Sequence, residues 1–307
     1  MPERSIERPA PRFGLFLGQA GSSWSRILER FEWAEELGFD QAFLVDHLQP
    51  TDGSDEEPVL EAWSLLAALA ARTSRLRIGV LVTSNTFRHP AVLAKQAVTV
   101  DHISGGRLIL GLGTGWHEPE HRHYGVPFPK SGERVSRLAE TVELIDSLMR
   151  HERTTFHGRQ FTLDDAPFQP RSVQQPRVPF LIAAHRPRTL AIAARFADIW
   201  DTFPATAGTA TEGNREDIAG QVRRFERLCR ESGRHPARVR RSTWTGGQQM
   251  TDPSTYRAFV EDHARLGFTD FTTGLPPPAD EVTVRTIATD VIPELRARLA
   301  GGPHTPG

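Results

Sequence analysis

A single cysteine, Cys229, stands in a chain of 307 residues, which excludes a disulfide framework and any thiolate zinc site. It sits inside the amphipathic run 221–231, and a reducing cytoplasm is the compartment this implies. Long apolar runs are also missing. Nowhere do about 18 apolar residues stand together, and the opening MPERSIERPAPR is charged and proline-rich, so neither a membrane span nor a classical export signal is expected. No sign of charge dominates either: Lys and Arg total 37 against 38 Asp and Glu, a formal net charge of -1. That leaves no electrostatic footprint for nucleic acid or an anionic membrane. The local cluster Arg238-Val239-Arg240-Arg241 reads as the flank of a strand. A dinucleotide fingerprint is absent too. The glycine run Gly111-Leu112-Gly113-Thr114-Gly115 fails the G-x-G-x-x-G spacing and follows three strand–helix units instead of opening the first.

What the chain does contain is alternation. With 38% hydrophobic residues it can bury one large core, and a single domain over 1–307, with flexible tails at 1–11 and 301–307, is expected. Short apolar runs fall at 13–17, 41–45, 76–82, 108–112, 180–183, 199–202, 239–243 and 270–273. Helical patterns follow each, at 25–37, 58–73, 90–102, 133–149, 188–196, 218–232, 254–266 and 282–299. Strand followed by helix, eight times over, is the order of a (β/α)8 TIM barrel; a doubly wound sheet would call for a switch point and polar edge strands. Two long segments, Trp116 to Gly132 and Phe203 to Asp217, are placed over the mouth of such a barrel. A stretch from His151 to Arg177 holds a small hairpin, 154–157 with 160–163 around Gly158.

Candidate chemistry concentrates at strand ends. Asp46-His47 closes the second strand, where a barrel presents side chains to a ligand and an imidazole can exchange protons near neutral pH. The same dipeptide at Asp101-His102 ends a helix and so falls on the opposite, stabilising face. The glycines after the fourth strand would let a flat ring or polar tail come close to the backbone. His117-Glu118-Pro119-Glu120-His121 matches the zinc-protease pattern, but Pro119 belongs in a first helical turn, leaving His117 outside the helix and the two imidazoles diverging; no metal is expected. Ala183-Ala184-His185-Arg186-Pro187-Arg188 leads from the fifth strand into a helix whose N-terminus could hold an anion, with Arg186 or Arg188 adding charge-assisted bonds. Trp116 and Trp200 each follow or end a strand and could wall a pocket or pack in the core.

These runs resemble the bacterial luciferase-like family, in its branch of oxidoreductases that use the deazaflavin coenzyme F420. The resemblance extends from Phe13 to about Leu299. It is carried by FLVDH at 43–47, LEAWSLLAALAARTSRLRIG at 60–79, FRHPAVLAKQAVTVDHISGGRLILGLGTGW at 87–116, EHRHYGVPFP at 120–129 and RTLAIAARFADIW at 188–200. It implies a barrel with the ring in its mouth, over a bulge at Leu81-Val82 that contains a non-prolyl cis peptide. It implies that His47 handles the substrate proton while Asp46 binds the polar edge of the ring or orients the imidazole. Thr83 and Ser84 would meet the ring or its polyol, Gly113, Thr114, Gly115 and Trp116 would pack along it, and Ala183, Ala184, His185, Arg186 and Arg188 would hold the phosphate. The Asp-His pair is similar to the F420 branch, whereas the FMN monooxygenases more often carry Glu-His-His. A two-component FMN monooxygenase is therefore the rival, and a barrel that binds without turnover the third possibility. The branch's sugar-phosphate dehydrogenases have a carboxylate where this chain has Trp116, and a tryptophan near Thr51; glucose 6-phosphate is accordingly not expected as substrate. A small organic substrate, a homodimer and a separate flavin or F420 reductase complete what the resemblance implies.

Overall fold

The computed structural model describes residues 9–54, 56–203, 217–276 and 280–300. In chain order the strands are β1 (Arg12–Phe16), β2 (Gln41–Leu44), β3 (Arg77–Val80), β4 (Thr83–Ser84), β5 (Leu108–Gly113), β6 (Arg153–His157), β7 (Thr162–Pro167), β8 (Phe180–Ala183), β9 (Ile199–Thr202), β10 (Arg240–Thr245) and β11 (Asp270–Gly274). All but β6 and β7 belong to one parallel sheet, ordered β3-β2-β1-β11-β10-β9-β8-β5-β4. Pairing of Ile78 with Leu108 and Gly79 with Ile109 closes it into a barrel. β4 is the far end of the β3 strand, separated from it by the bulge at Leu81-Val82. All eight expected strands are therefore present in the order of a (β/α)8 barrel.

Around it lie α1 (Trp24–Glu36), α2 (Ala62–Arg72), α3 (Pro90–Ser104), α4 (Glu118–His123), α5 (Ser131–Arg150), α6 (Pro187–Phe196), α7 (Ile218–Glu231), α8 (Pro253–Arg265), α9 (Glu281–Thr286) and α10 (Ile292–Ala300). Their starts follow local capping chemistry: Ser23 caps α1, Asp217 caps α7 and Asp252 caps α8, each side chain accepting a backbone N–H of the first turn. The second helix begins at Ala62, not Pro58, because the Glu61 carboxylate accepts from Trp63 and Ser64 N–H and fixes the start there. The last helical pattern is interrupted by a π turn, Ile287–Val291, just ahead of Pro293. A proline inside a helix has no N–H to give and crowds the carbonyl four residues back, and a widened turn relieves both.

The period of two along each strand divides the core. Outward residues such as Phe13, Leu15, Ile78, Val80, Leu110 and Phe271 pack against the helices in one large apolar cluster. A second, smaller cluster of Phe43, Leu81, Ile109, Leu181 and Ile199, joined by Phe16, Val82 and Trp244, fills the lumen beneath the barrel mouth. Burying these side chains is the main favourable term of folding, at about 25 cal/mol per Å² of apolar surface.

Asp201 also alternates into the lumen, two residues beyond Ile199. It is fully buried beside Ser242 across the β9–β10 pairing, with no hydrogen bond of good geometry to either oxygen. Burial pushes its carboxyl up to about 8. An unfolded aspartate titrates at about 3.9, so the folded chain keeps a proton that the unfolded chain sheds. The resulting stability is present in full below that pH and is lost as pH rises toward 8, with a ceiling of about 1.4 kcal/mol per pH unit. Urea unfolding between pH 5 and pH 8 should show Asp201→Asn gaining on the parent as pH rises; an unchanged difference would remove this explanation.

Two further boundaries differ from the sequence expectations. Gly158 N–H bonds to the Phe161 carbonyl at 2.9 Å, which closes the hairpin turn over 158–161 and starts its second strand at Thr162 rather than Gln160. Residues 10 and 11, expected in a tail, are tied down: the Ala10 carbonyl accepts from Arg240 at 2.7 Å and that of Pro11 from Arg296 at 3.2 Å. The expected tails at 1–8 and 301–307, and 204–216 of the second long segment, lie outside the described residues.

Candidate active site

The exits of β2, β3 and β5 converge. The Leu81-Val82 peptide is cis, as the family resemblance implies, and the chain then runs Thr83, Ser84, Asn85, Thr86 along the barrel rim. The glycines of β5 face this bulge. A Cβ at Gly111 would lie 2.0 Å from the Val80 carbonyl oxygen, and one at Gly113 would lie 2.4 Å from Val82 Cγ2. Gly115, at φ +72°, would put its Cβ 2.4 Å from Ser84 Oγ. The expectation that these glycines clear space for a ligand therefore needs correction. At 111, 113 and 115 they clear space for the neighbouring strand's bulge. Thr114 and Trp116 stand partly exposed at the rim.

Asp46, at the end of β2, is almost fully buried. Ser84 N–H donates to its Oδ2 at 2.9 Å, and Arg88 grips both oxygens, Nη1 to Oδ2 at 2.6 Å and Nη2 to Oδ1 at 3.0 Å. The same Nη2 reaches Glu61 Oε1 at 2.5 Å. Burial pushes the Asp46 carboxyl above its ordinary range, opposed by the charge and hydrogen bonds of Arg88 and by the Ser84 N–H. Both of its oxygens are committed to Arg88, so Asp46 does not orient the neighbouring imidazole. Glu120 occupies that place: its Oε1 meets His47 Nδ1 at 3.0 Å and its Oε2 accepts Leu48 N–H at 2.9 Å. The His47 ring packs edge-on against Trp116 and His117, centroids 5.6 and 5.9 Å away.

Glu120 comes from α4, whose start obeys Pro119: His117 is the residue before the helix. His121 is buried and bonded at both nitrogens, Nδ1 to the His117 carbonyl at 2.8 Å and Nε2 to Thr86 Oγ1 at 2.7 Å. A carbonyl only accepts, so Nδ1 carries the proton and Nε2 accepts the Thr86 hydroxyl, which in turn accepts from Ser84 Oγ at 2.7 Å. The HEPEH run thus has its histidines separately engaged. Among the described residues no group of three His, Cys, Asp or Glu side chains is disposed to hold a metal.

The opposite rim carries the other expected residues. Burial, with Arg186 adding repulsion, pushes His185 down to about 4, and its Nδ1 contacts Thr202 Oγ1 at 2.9 Å. Because that hydroxyl donates to Gln221 Oε1 at 2.7 Å, it accepts from His185, which is thereby fixed as the Nδ1–H tautomer. Ala183 ends β8, Ala184 follows it, and Arg186 precedes α6, exposed. Arg188 donates to the Gly132 carbonyl at 3.2 Å and Ser136 Oγ at 3.0 Å, so it ties α6 to the start of α5. Trp200 does not wall the mouth. It is fully buried, stacked on Phe225 at 4.2 Å, with Nε1–H on the Ala184 carbonyl at 2.9 Å. Trp244 lines the lumen instead, stacked on Phe16 at 5.1 Å and meeting Phe203 at 4.9 Å. Arg88, Glu120 and Trp244 are site residues that sequence reasoning missed; for Arg88 the signal was its place after the third strand, and for Glu120 there was none beyond a misleading motif. A separate cavity of about 280 Å³ between α1 and α9, lined by Arg26, Arg30, Trp33 and Pro276 among others, shares no residue with this mouth.

The fold and site are those of a parallel (β/α)8 barrel with a cis-peptide bulge at one strand exit and an Asp-His pair at its neighbour, and comparison with known proteins places it in a family. The model of the luciferase-like monooxygenase family matches residues 11–262, and the chain belongs to that family. It is 38% identical over 190 residues to an F420-dependent glucose-6-phosphate dehydrogenase of Microbacterium testaceum, covering 61% of this chain and 55% of that protein. It is 30% identical over 251 residues to the pyrimidine monooxygenase RutA of Escherichia coli, covering 75% and 63%. The chain thus spans about half to two thirds of the length of these relatives. Among solved structures, an F420-dependent secondary alcohol dehydrogenase in complex with an F420-acetone adduct superposes with a TM-score of 0.78 at 20% identity, covering 91% of this chain and 98% of that one; this bears on the fold.

Proposed function

We propose that this protein is an F420-dependent oxidoreductase that moves a hydride between the deazaflavin and a small organic substrate. The observation that carries the reading is the mouth itself: the Leu81-Val82 bulge as floor, Asp46 locked beside it, and a partly exposed imidazole, His47, held at its edge by Glu120. When bound, the deazaflavin supplies a hydride carrier that reacts poorly with oxygen. The residues present fit such a ring. Leu81, Val82, Phe16 and Trp244 form an apolar wall, and the Thr83 hydroxyl is buried beside it with no partner of its own. In this reading Ala183 to Arg188 hold the phosphate at the N-terminus of α6, with Arg186 the cation nearest to hand, since Arg188 is engaged elsewhere.

His47 gives or takes the substrate proton, and Asp46 with Arg88 keeps the β2 and β3 exits in register. The substrate carries no phosphate. Two arginines at this rim are already engaged, Arg88 with Asp46 and Glu61, and Arg134 with the carbonyls of Gly115 and Pro129, which supports that reading. The similarity to the pyrimidine monooxygenase RutA keeps a monooxygenase as second reading, with FMN as the coenzyme it would take. A cytoplasmic homodimer, with a separate reductase recycling the coenzyme, fits either. Coenzyme titration tests the choice: F420 should bind, and FMN should bind far more weakly.

A further inference from the structure

We propose that Glu120 is the positioning residue for His47, and that α4 serves to deliver it. The proposal rests on the reading that His47 exchanges the substrate proton. Within α4, Glu118 and Pro119 are exposed whereas Glu120 is buried. Its two oxygens are divided between consecutive residues, His47 at 3.0 Å and the Leu48 N–H at 2.9 Å, so the carboxylate spans the turn that follows β2. The rest of α4 is stitched to the same turn. His123 Nδ1 contacts Gln49 Oε1 at 2.8 Å, and the Tyr124 hydroxyl donates to the Leu48 carbonyl at 3.0 Å. His121 anchors the helix to the β3 exit through Thr86.

The chemical consequence follows from donor and acceptor roles. A carboxylate oxygen only accepts, so His47 Nδ1 carries a proton, and Nε2 is the nitrogen left to exchange one with the substrate. The anion also favours the imidazolium that forms when Nε2 takes a proton. The charged or titratable groups around the ring are Glu120, the His117 imidazole, which packs edge-on against it, and the Asp46–Arg88 pair; of these Glu120 is the one hydrogen-bonded to it. The HEPEH run is therefore a helix start that places one carboxylate under His47 and one imidazole under Thr86.

The test reads the imidazole directly, in the coenzyme-free full chain labelled with ¹⁵N-histidine, with the His47 signals identified by their loss in His47→Ala. The neutral ring should carry its proton on Nδ1 and leave Nε2 bare. Glu120→Gln, which retains the shape without the charge and whose amide can donate as well as accept, should no longer hold His47 in that single tautomer. It should also lower kcat by about 10- to 100-fold with coenzyme affinity unchanged. Glu120→Asp, one methylene shorter, should fall between the two. A parent ring protonated on Nε2, or Glu120→Gln with both tautomer and kcat unchanged, overturns the proposal. Should Glu120→Gln not fold, the tautomer of the parent protein decides alone. The spectra need no coenzyme, so failure of F420 chemistry would leave this result standing.

Discussion

Replacing Arg88 by methionine should destabilise the fold by about 3–5 kcal/mol, the range for removing one partner of a buried ion pair. Asp46 retains 2% of its side-chain exposure and Arg88 13%, so water cannot take over the lost hydrogen bonds. Burial works against charge on Arg88, but Asp46 and Glu61 outweigh it and hold the guanidinium above its ordinary pKa. Methionine fills a similar volume and leaves the Asp46 carboxylate with only the Ser84 N–H. The variant also carries a pH signature. Without Arg88, the upward push of burial on Asp46 is largely unopposed, so the folded variant takes up a proton there at a pH where the unfolded chain is ionised. A raised folded pKa means stability lost as pH rises. The deficit relative to the parent should therefore shrink toward acid pH and grow toward neutral. Urea unfolding at several pH values measures this, and adding Asp46→Asn to Arg88→Met should restore part of the loss. A deficit below 1 kcal/mol that does not vary with pH would mean the pair is not the clamp described here.

His47→Ala should lower kcat by about 10²- to 10⁴-fold, the usual worth of a positioned proton-transfer group, while coenzyme affinity changes little. The split is what matters. His47 packs against the edges of Trp116 and His117 and is held by Glu120, so its removal leaves the Leu81-Val82 floor untouched. Added imidazole should recover part of the rate. Full turnover in the variant would take the proton role away from His47.

The parts of this site legible in the sequence are those set by position along a strand. Asp46-His47 could be placed at a mouth because it ends an apolar run in a repeating strand–helix order. Pro119 could be read as a helix start because its missing N–H is tolerated there. What was not legible depends on who sits opposite. Gly111 and Gly113 look alike whether they admit a ring or a neighbouring strand, and only the position of Val80 and Val82 decides. Trp200 takes the core position of its two expected places, and Trp244, unassigned from the sequence, lines the lumen, because the period of two names two faces without saying which is the lumen. Glu120 meets His47 across 73 residues of chain, inside a motif whose usual meaning is zinc. Arg88 lies in one of the family-like runs, yet its bond to Asp46 is a contact between strand exits, visible only once β2 and β3 lie side by side.

Coenzyme choice is the central claim, and intrinsic tryptophan fluorescence during parallel titrations with F420 and with FMN tests it most directly, since Trp116 and Trp244 flank the proposed ring site. The expected result is a saturable change at one F420 per chain and none with FMN at comparable concentrations. Saturable FMN binding with no response to F420 would contradict it.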